Sequence, residues 1–197
     1  MKNIFKKFFD IKKIVNQSYL EFENLKNQQE VKSVFDAISN FSSDSEIRYV
    51  GGCIRKILNN EKVDDIDLST NIRPEETIAA LKKNKINFFK TGIKHGTITA
   101  VINEKKFEIT SLRKDINTDG RHAEVEFSKN WKEDAVRRDF TFNSIYADLD
   151  GNLFDPFNGI NDLKNGKVQF IGDANLRVKE DYLRILRYIR FFLNYSN

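Results

Sequence analysis

The sequence predicts a mixed α/β (α+β) fold, and three observations carry that expectation. Helical periodicities alternate with short β-type runs along the 197 residues, two pairs of those runs read as hairpins, and a Gly-Gly pair marks a strand-to-helix turn. Up to about Phe41 the chain reads as helical, with Ile14, Val15, Leu20, Phe22 and Leu25, then Val31, Val34, Phe35 and Ile38 at helical spacing; Ser42-Ser43-Asp44-Ser45 ends it. Glu46 to Val50 is a short strand running into Gly51-Gly52, and Ile54 to Leu58 opens a helix. Ile66 to Ser69 is a second strand, and Pro74 is suited to start a helix that reaches about Lys83. Phe88-Phe89 begins another extended stretch, and Thr97 to Asn103 with Lys106 to Leu112 form a hairpin pair.

Arg113 to Lys132 is polar, with Asp119-Gly120 in the middle, and reads as a mobile loop. A helix is expected near Glu133 to Asp139. Phe142 to Ala147 and Leu153-Phe154 flank Asp150-Gly151 as a hairpin. Val168 to Ile171 reads as a last short strand, and Asn175 to Tyr195 as one helix with Leu176, Val178, Leu183, Leu186, Ile189 and Phe192 in spaced steps.

Seventeen Phe within 40% hydrophobic residues supply a core, while 31% charged residues place the chain among soluble globular proteins. No apolar run approaches the roughly 20 residues that span a bilayer, so no membrane partner is expected. The basic, Phe-rich start lacks the long uncharged stretch of a secretory signal, and the first 47 residues hold no Arg, unlike a transit peptide. Cys53 is the single cysteine, which excludes an internal disulfide and suits a reducing, cytoplasmic setting. Two histidines, His95 and His122, are too few for a His-based metal centre without carboxylates. The net charge of +4 permits a nucleic-acid partner without arguing for one.

Asp65-Ile66-Asp67 is the most informative feature. Alternation along a strand turns both carboxylates to one face, with Ile66 behind them. Crowded carboxylates favour a cation, and hard oxygen ligands suit Mg²⁺. A solvated acidic turn is the plainer alternative for such a tripeptide standing alone. Gly51-Gly52 at a helix start offers bare backbone N–H groups to an anion such as a triphosphate, or is simply a tight turn. Arg55 follows as a phosphate or structural salt-bridge partner. Glu108 alternates with Phe107 and Ile109, so it faces away from them and is a candidate third carboxylate beside the pair.

Tyr49-Val50-Gly51-Gly52-Cys53-Ile54-Arg55, Asp65-Ile66-Asp67-Leu68-Ser69-Thr70, Lys94-His95-Gly96-Thr97 and Arg137-Arg138-Asp139-Phe140-Thr141-Phe142-Asn143 occur in that order. Asp155-Pro156-Phe157-Asn158-Gly159-Ile160-Asn161-Asp162-Leu163 and Glu180-Asp181-Tyr182-Leu183-Arg184-Ile185-Leu186-Arg187 follow. Over about residues 47 to 193 the chain thus resembles the class II tRNA nucleotidyltransferases, a branch of the DNA polymerase beta superfamily that includes CCA-adding enzymes and bacterial poly(A) polymerases. His95-Gly96-Thr97 and Thr118-Asp119-Gly120-Arg121 are most similar to the alphaproteobacterial CCA-adding type.

The resemblance implies a head of curved, mainly antiparallel sheet with flanking helices at residues 45–155, the start of a helical neck at 156–197, and an N-terminal helical extension at 1–44. It implies Mg²⁺-dependent addition of C and A from CTP and ATP to the 3′ end of tRNA, with release of pyrophosphate. Asp65 and Asp67 would hold the metal, with Glu108 as the further catalytic carboxylate. Gly51, Gly52, Arg55, Arg137, Arg138, Asp139 and Asn143 would bind triphosphate and ribose. Asp181 and Arg184, with Arg187 in the same motif, would bind the nucleotide and read its base. Cytosine and adenine both present an amino donor beside a ring-nitrogen acceptor, which an Asp acceptor next to an Arg donor matches. In isolation these side chains are as well suited to helical ion pairs.

Two departures from the family pattern stand out. Lys56 occupies a position where the family commonly has Asp, and the chain ends at Asn197, where family members continue into a tRNA-holding helical half. A truncated chain that binds RNA, or a partner subunit supplying the missing half, is the alternative this raises; poly(A) polymerase is the other. The family's poly(A) members carry an Arg-Arg-Phe-Arg stretch where this chain has Lys90 to Thr97, which favours CCA addition.

Overall fold

The computed structural model describes residues 17–119 and 122–196. Its main body is a seven-stranded sheet in the order β3-β4-β5-β2-β1-β8-β9. The strands are β1 (Ile47–Val50), β2 (Ile66–Thr70), β3 (Asn87–Gly92), β4 (Thr97–Ile102), β5 (Lys105–Ser111), β8 (Tyr146–Ala147) and β9 (Leu153–Phe154). Every neighbouring pair is antiparallel except β2 and β5, which run parallel. A separate antiparallel pair, β6 (Arg113–Asp119) and β7 (His122–Phe127), stands beside it.

One face of the sheet is the core. Leu68, Ile98, Ala100, Phe107 and Ile109 turn inward from successive strands and meet Val31, Val34, Phe35 and Ile38 of α2 (Gln29–Ser39) and Ala80 and Leu81 of α4 (Pro74–Lys83). Phe22 and Leu25 of α1 (residues 17–26) join the same core, with the Phe22 ring 5.9 Å from Tyr49. Residues 17–39 are therefore packed against the sheet. Pro74 opens α4, where its missing N–H costs nothing, and Glu76 accepts from Arg73 N.

The remaining helices are α3 (Gly52–Leu58) after β1, then α5 (Trp131–Val136), α6 (Gly159–Lys164), α7 (Ala174–Glu180) and α8 (Leu183–Tyr195). Phe191 of α8 meets Phe140 and Phe142 edge-on at 5.4 and 5.3 Å, joining the C-terminal helices to the same core. A Cβ on Gly159 would lie 2.2 Å from Thr141 O, so only glycine lets α6 approach the Thr141–Asn143 turn. Among the described residues no helix is long and apolar enough to cross a membrane.

Several sequence expectations are corrected. Arg113 to Lys132 is not a loop throughout: it contains the β6–β7 ribbon and the start of α5. A free-standing two-stranded ribbon buries neither face fully, so it lacks the apolar alternation that betrays a strand. Asn175 to Tyr195 is two helices, because Asp181 leaves the helical region (φ −154°, ψ 104°) and its carboxylate accepts from Leu183 N at 2.9 Å. The helix near Glu133 starts at Trp131, where Asn130 caps Lys132 N, and stops at Val136, short of Asp139. Phe142 lies in a 3-10 turn and only Tyr146–Ala147 pairs as a strand; at Val168 to Ile171 only an isolated Phe140–Phe170 bridge forms. The first helical segment breaks at Asn27-Gln28, and its Ile14 and Val15 lie outside the described residues, as do Gly120 and Arg121.

Candidate active site

The turn between β1 and α3 places backbone close to charge. Gly51 has φ 67° and ψ −119°, a region closed to side-chain-bearing residues, and a Cβ there would lie 3.7 Å from Arg138 Nη1. A Cβ on Gly52 would lie 3.7 Å from Asp67 Oδ2. The turn, Asp67 and Arg138 thus face one another across a short gap. Burial raises the pKa of Asp67, and the charges of Glu108 and Asp65 raise it further, against the lowering pull of Arg138 and Arg55. Burial also pushes the Cys53 thiol, behind the turn, up to about 12, so it is inert.

Parallel pairing sets Asp67 directly beside Glu108. Both carboxylates stand on the sheet face opposite Leu68 and Ile109, which are in the core. Asp65, one residue before β2, is exposed and lines a separate cleft with Asp64, Lys105 and Lys106. Among the described residues no three His, Cys, Asp or Glu side chains gather as a metal cage.

The arginine pair is built on a residue that sequence reasoning missed. Asp134, fully buried on α5, accepts at Oδ1 from Arg137 Nε and Nη2 (2.9 and 2.7 Å), and at Oδ2 from Arg138 Nε and Nη2 (3.1 and 3.0 Å) and Tyr146 OH (2.7 Å). Burial alone would raise its pKa, but Arg138, Arg137 and the Tyr146 hydroxyl hold it well below the usual carboxylate range. The available signal was spacing, since Asp134 precedes Arg137 and Arg138 by three and four residues, the spacing of helical ion pairs. Arg138 also reaches Ser69 Oγ at 3.3 Å, and Asp139 Oδ1 accepts from Asn143 Nδ2 at 2.9 Å.

Arg55 is occupied structurally. It donates to the Asn143 side-chain oxygen and to Tyr195 OH, and its guanidinium lies 4.6 Å from the centre of the Phe191 ring. Lys56 pairs with Asp64 at 3.1 Å, so the ammonium in this departure from the family pattern has its own carboxylate.

The C-terminal helices bring the rest. Arg187 bridges Asp139 (3.1 Å) and Asp181 (2.9 Å). Arg184 is buried and turned to Glu180 at 2.6 Å and to Arg177 O, so Asp181 and Arg184 do not pair with each other. Arg177 donates to the carbonyls of Arg137 and Arg138 at 2.6 Å each, fastening α7 to the end of α5.

These groups enclose a cleft of about 410 Å³ lined by Gly51, Gly52, Arg55, Asp67, Asp115, Arg137, Arg138, Asp139, Asn143, Arg184, Arg187, Arg190 and Phe191. Six guanidiniums and three carboxylates line it, and Asp134, Glu180 and Asp181 behind that lining pair with Arg137, Arg138, Arg184 and Arg187. Of the sequence candidates, Asp65, Glu108 and Asp181 lie outside this lining. Asp115, Arg190 and Phe191 were not anticipated; Asp115 lies in the stretch that reads as a loop, and Arg190 and Phe191 carry no motif signal.

The sequence profile of the family described as the poly A polymerase head domain matches residues 47–169. The human protein named CCA tRNA nucleotidyltransferase 1, mitochondrial, is 53% identical over 148 residues, covering 75% of this chain and 34% of that protein. A crystal structure of the Bacillus stearothermophilus CCA-adding enzyme in complex with CTP superposes with a TM-score of 0.73 at 29% identity, over 86% of this chain and 41% of that one. A structure of a tRNA nucleotidyltransferase complexed with a primer tRNA and an incoming ATP analog gives 0.63 at 28% identity, over 78% and 44%. The chain spans about a third of the length of the human relative. With the profile covering most of its residues and the sheet and cleft in place, the chain belongs to the poly A polymerase head-domain family, among the class II tRNA nucleotidyltransferases.

Proposed function

We propose that this chain adds C and A, from CTP and ATP, to the 3′ end of tRNA without a nucleic-acid template, releasing pyrophosphate. The observation that carries the reading is the arginine-rich cleft, lined by Asp67 and by Arg187, whose partner Asp181 stands outside the lining. Six guanidiniums, with N–H groups beyond those their carboxylate partners take, suit a triphosphate.

The RNA 3′-hydroxyl attacks the α-phosphate, the P–O bond to the β-phosphate breaks, and pyrophosphate leaves carrying the electron pair. Gly51 and Gly52 let the backbone approach the phosphates closely, and Arg137 and Arg138, oriented by Asp134, present their remaining N–H groups to the charge that develops on them. Asp139 and Asn143, bonded to each other and lining the cleft, would hold the ribose hydroxyls. The carboxylates fit a divalent cation: Asp67 is destabilised as an anion by burial and by Glu108, and Mg²⁺ commonly takes one or two carboxylates plus substrate phosphates instead of a complete protein cage. Asp65 and Asp67, with Glu108 beside them, would hold that Mg²⁺, which when bound lowers the pKa of the attacking hydroxyl and neutralises the triphosphate.

Asp181 and Arg184 are assigned to base reading. To do so each exchanges its present partner, Asp181 leaving Arg187 and Arg184 leaving Glu180. Uracil and guanine would present a carbonyl to Asp181 and an N–H to Arg184, leaving buried groups unpaired. A cytoplasmic setting belongs to the same reading, supported by the free, buried Cys53.

The deciding experiment supplies each NTP separately, with Mg²⁺, to the chain and tRNA transcripts ending before CCA, after C and after CC. Ordered addition of two C and one A is expected. Unlimited A addition to any RNA would replace the reading with poly(A) polymerase. Bound CTP without incorporation would reduce the function to nucleotide and RNA binding.

A further inference from the structure

We propose that the solvent-facing side of the main sheet, from Phe89 at its edge to Asp67, is the track along which a single-stranded RNA 3′ end reaches the cleft, with Phe89 as a stacking platform for one base. This rests on the nucleotide-transfer reading for its destination, but its own observations lie outside the cleft. Strand pairing sets Phe89 opposite Thr99, Thr99 opposite Glu108 and Glu108 beside Asp67, so the four residues form one lateral row. Their strand neighbours Phe88, Ala100, Phe107 and Leu68 pack in or against the core, which turns the row to the opposite face.

Phe89 has no structural task that would explain it. It is 60% exposed while Phe88 supplies the packing, and it meets no other aromatic ring among the described residues. Between Phe89 and the carboxylates the face is a floor of threonines, Thr91 bonded to the buried Thr99 (2.7 Å) and Thr97 to Thr110 (3.0 Å). Exposed Lys106, two residues before Glu108 on the same strand, adds a cation to that face. A lone exposed aromatic beside hydroxyls and a lysine matches a base and a phosphodiester chain better than a protein partner, which would need a contiguous apolar patch. Three strand spacings of ~4.8 Å put Phe89 ~14 Å from Asp67, roughly four nucleotides at the ~3.4 Å rise of a stacked strand.

The test uses the full chain and a fluorescein-labelled eight-nucleotide RNA ending in CC, without NTP or divalent cation, read by anisotropy, with CTP affinity measured separately by calorimetry. Phe89→Ala should weaken RNA binding roughly 5- to 100-fold and leave CTP affinity unchanged, and Phe89→Trp should retain RNA binding. Lys106→Gln should flatten the dependence of log K on log salt by about 0.7. No RNA binding by the parent chain, or Phe89→Ala within twofold of the parent, overturns the proposal. Loss of Phe89-dependent self-association, with RNA binding unchanged, overturns it in favour of a protein interface. A parent chain that binds RNA through Phe89 but not CTP would sink the cleft reading and leave the track standing.

Discussion

Arg138 is held edge-on by Asp134, with Nε and Nη2 at 3.1 and 3.0 Å from one buried carboxylate oxygen. Because the other oxygen holds Arg137 in the same way, one side chain at the end of a short helix orients both cations of the cleft. Removing it leaves two desolvated guanidiniums short of a counter-charge. Asp134→Ala should therefore cost about 3–5 kcal/mol, a fall in Tm on the order of 6–20 °C at about 2–4 °C per kcal/mol for a domain of this size. Thermal unfolding by circular dichroism checks this, and a loss below about 1 kcal/mol would show that the triad is not load-sharing in the way its geometry implies.

The same residue sets an acid limit. Its folded pKa lies below the unfolded value of about 3.9, so its stabilisation is complete above that value and is lost as pH falls through the folded pKa. The urea midpoint should hold from pH 7 to about 5 as far as this group is concerned, and decline below about pH 4. Asp134→Asn should show a flatter acid limb from a lower starting stability. An identical limb in both proteins would assign acid unfolding to other carboxylates.

Asp67 carries the opposite sign. Burial and then Glu108 raise its folded pKa, so the fold favours its protonated form and works against the ionised form above that pKa. Asp67→Asn should consequently raise Tm at pH 7 in EDTA while lowering nucleotide transfer at least about 100-fold, the loss expected when several kcal/mol of metal-derived stabilisation disappears. Mg²⁺ should raise the Tm of the parent chain and leave that of Asp67→Asn unchanged. An EDTA Tm at or below that of the parent would mean that Asp67 holds the fold together instead of straining it.

Base selection tests the pair that does not pair. With Arg184 at 2.6 Å from Glu180 and Asp181 at 2.9 Å from Arg187, neither side chain is idle. Asp181→Ala and Arg184→Ala should each lower the preference for CTP and ATP over UTP and GTP by at least about 100-fold in kcat/KM, since a site that pairs with a ligand's polar groups discriminates far more strongly than one that only packs on it. Competition between NTPs in single-turnover extension measures this, and a retained preference would place base reading elsewhere.

Part of this was legible from the sequence, because β2 and β5 announce themselves by alternation and the β1–α3 turn by its glycines. Phe107-Glu108-Ile109 shows period two, and Gly51 occupies a backbone region that other residues avoid, so the β1–α3 turn and the carboxylate row could be placed. What stayed hidden depended on partners distant in sequence or on broken periodicity. Asp115 lies on a polar ribbon with no buried face of its own, Asp181 interrupts a helix whose apolar spacing continues straight through the break, and nothing local reveals that Asp134 is buried beneath Tyr146. The pairing of Arg184 with Glu180 rather than Asp181 is a choice between acids four and three residues away, which only packing decides.

Arg55 separates two roles that sequence reading left open. Its guanidinium lies 4.6 Å from the Phe191 centroid and 5.4 Å from that of Tyr195, donates to the Asn143 side chain and to Tyr195 OH, and Tyr195 in turn donates to Glu61 at 3.3 Å. Those contacts tie α3 to α8 and hold the Asn143 turn, so Arg55 acts as a strut that fixes the phosphate-side turn against the base-side helix. A phosphate-binding charge would tolerate lysine, whereas a strut needs the planar fork that stacks and donates at once. Arg55→Lys should therefore resemble Arg55→Ala, each losing about 1–2 kcal/mol of stability from the stacked cation and its hydrogen bonds. Tyr195→Phe, which keeps the ring and deletes the hydroxyl, should lose less. Chemical denaturation together with CTP titration reads both roles: Arg55→Lys with parental stability and parental CTP affinity would return Arg55 to the phosphate site and leave the joint between α3 and α8 to the aromatic rings alone.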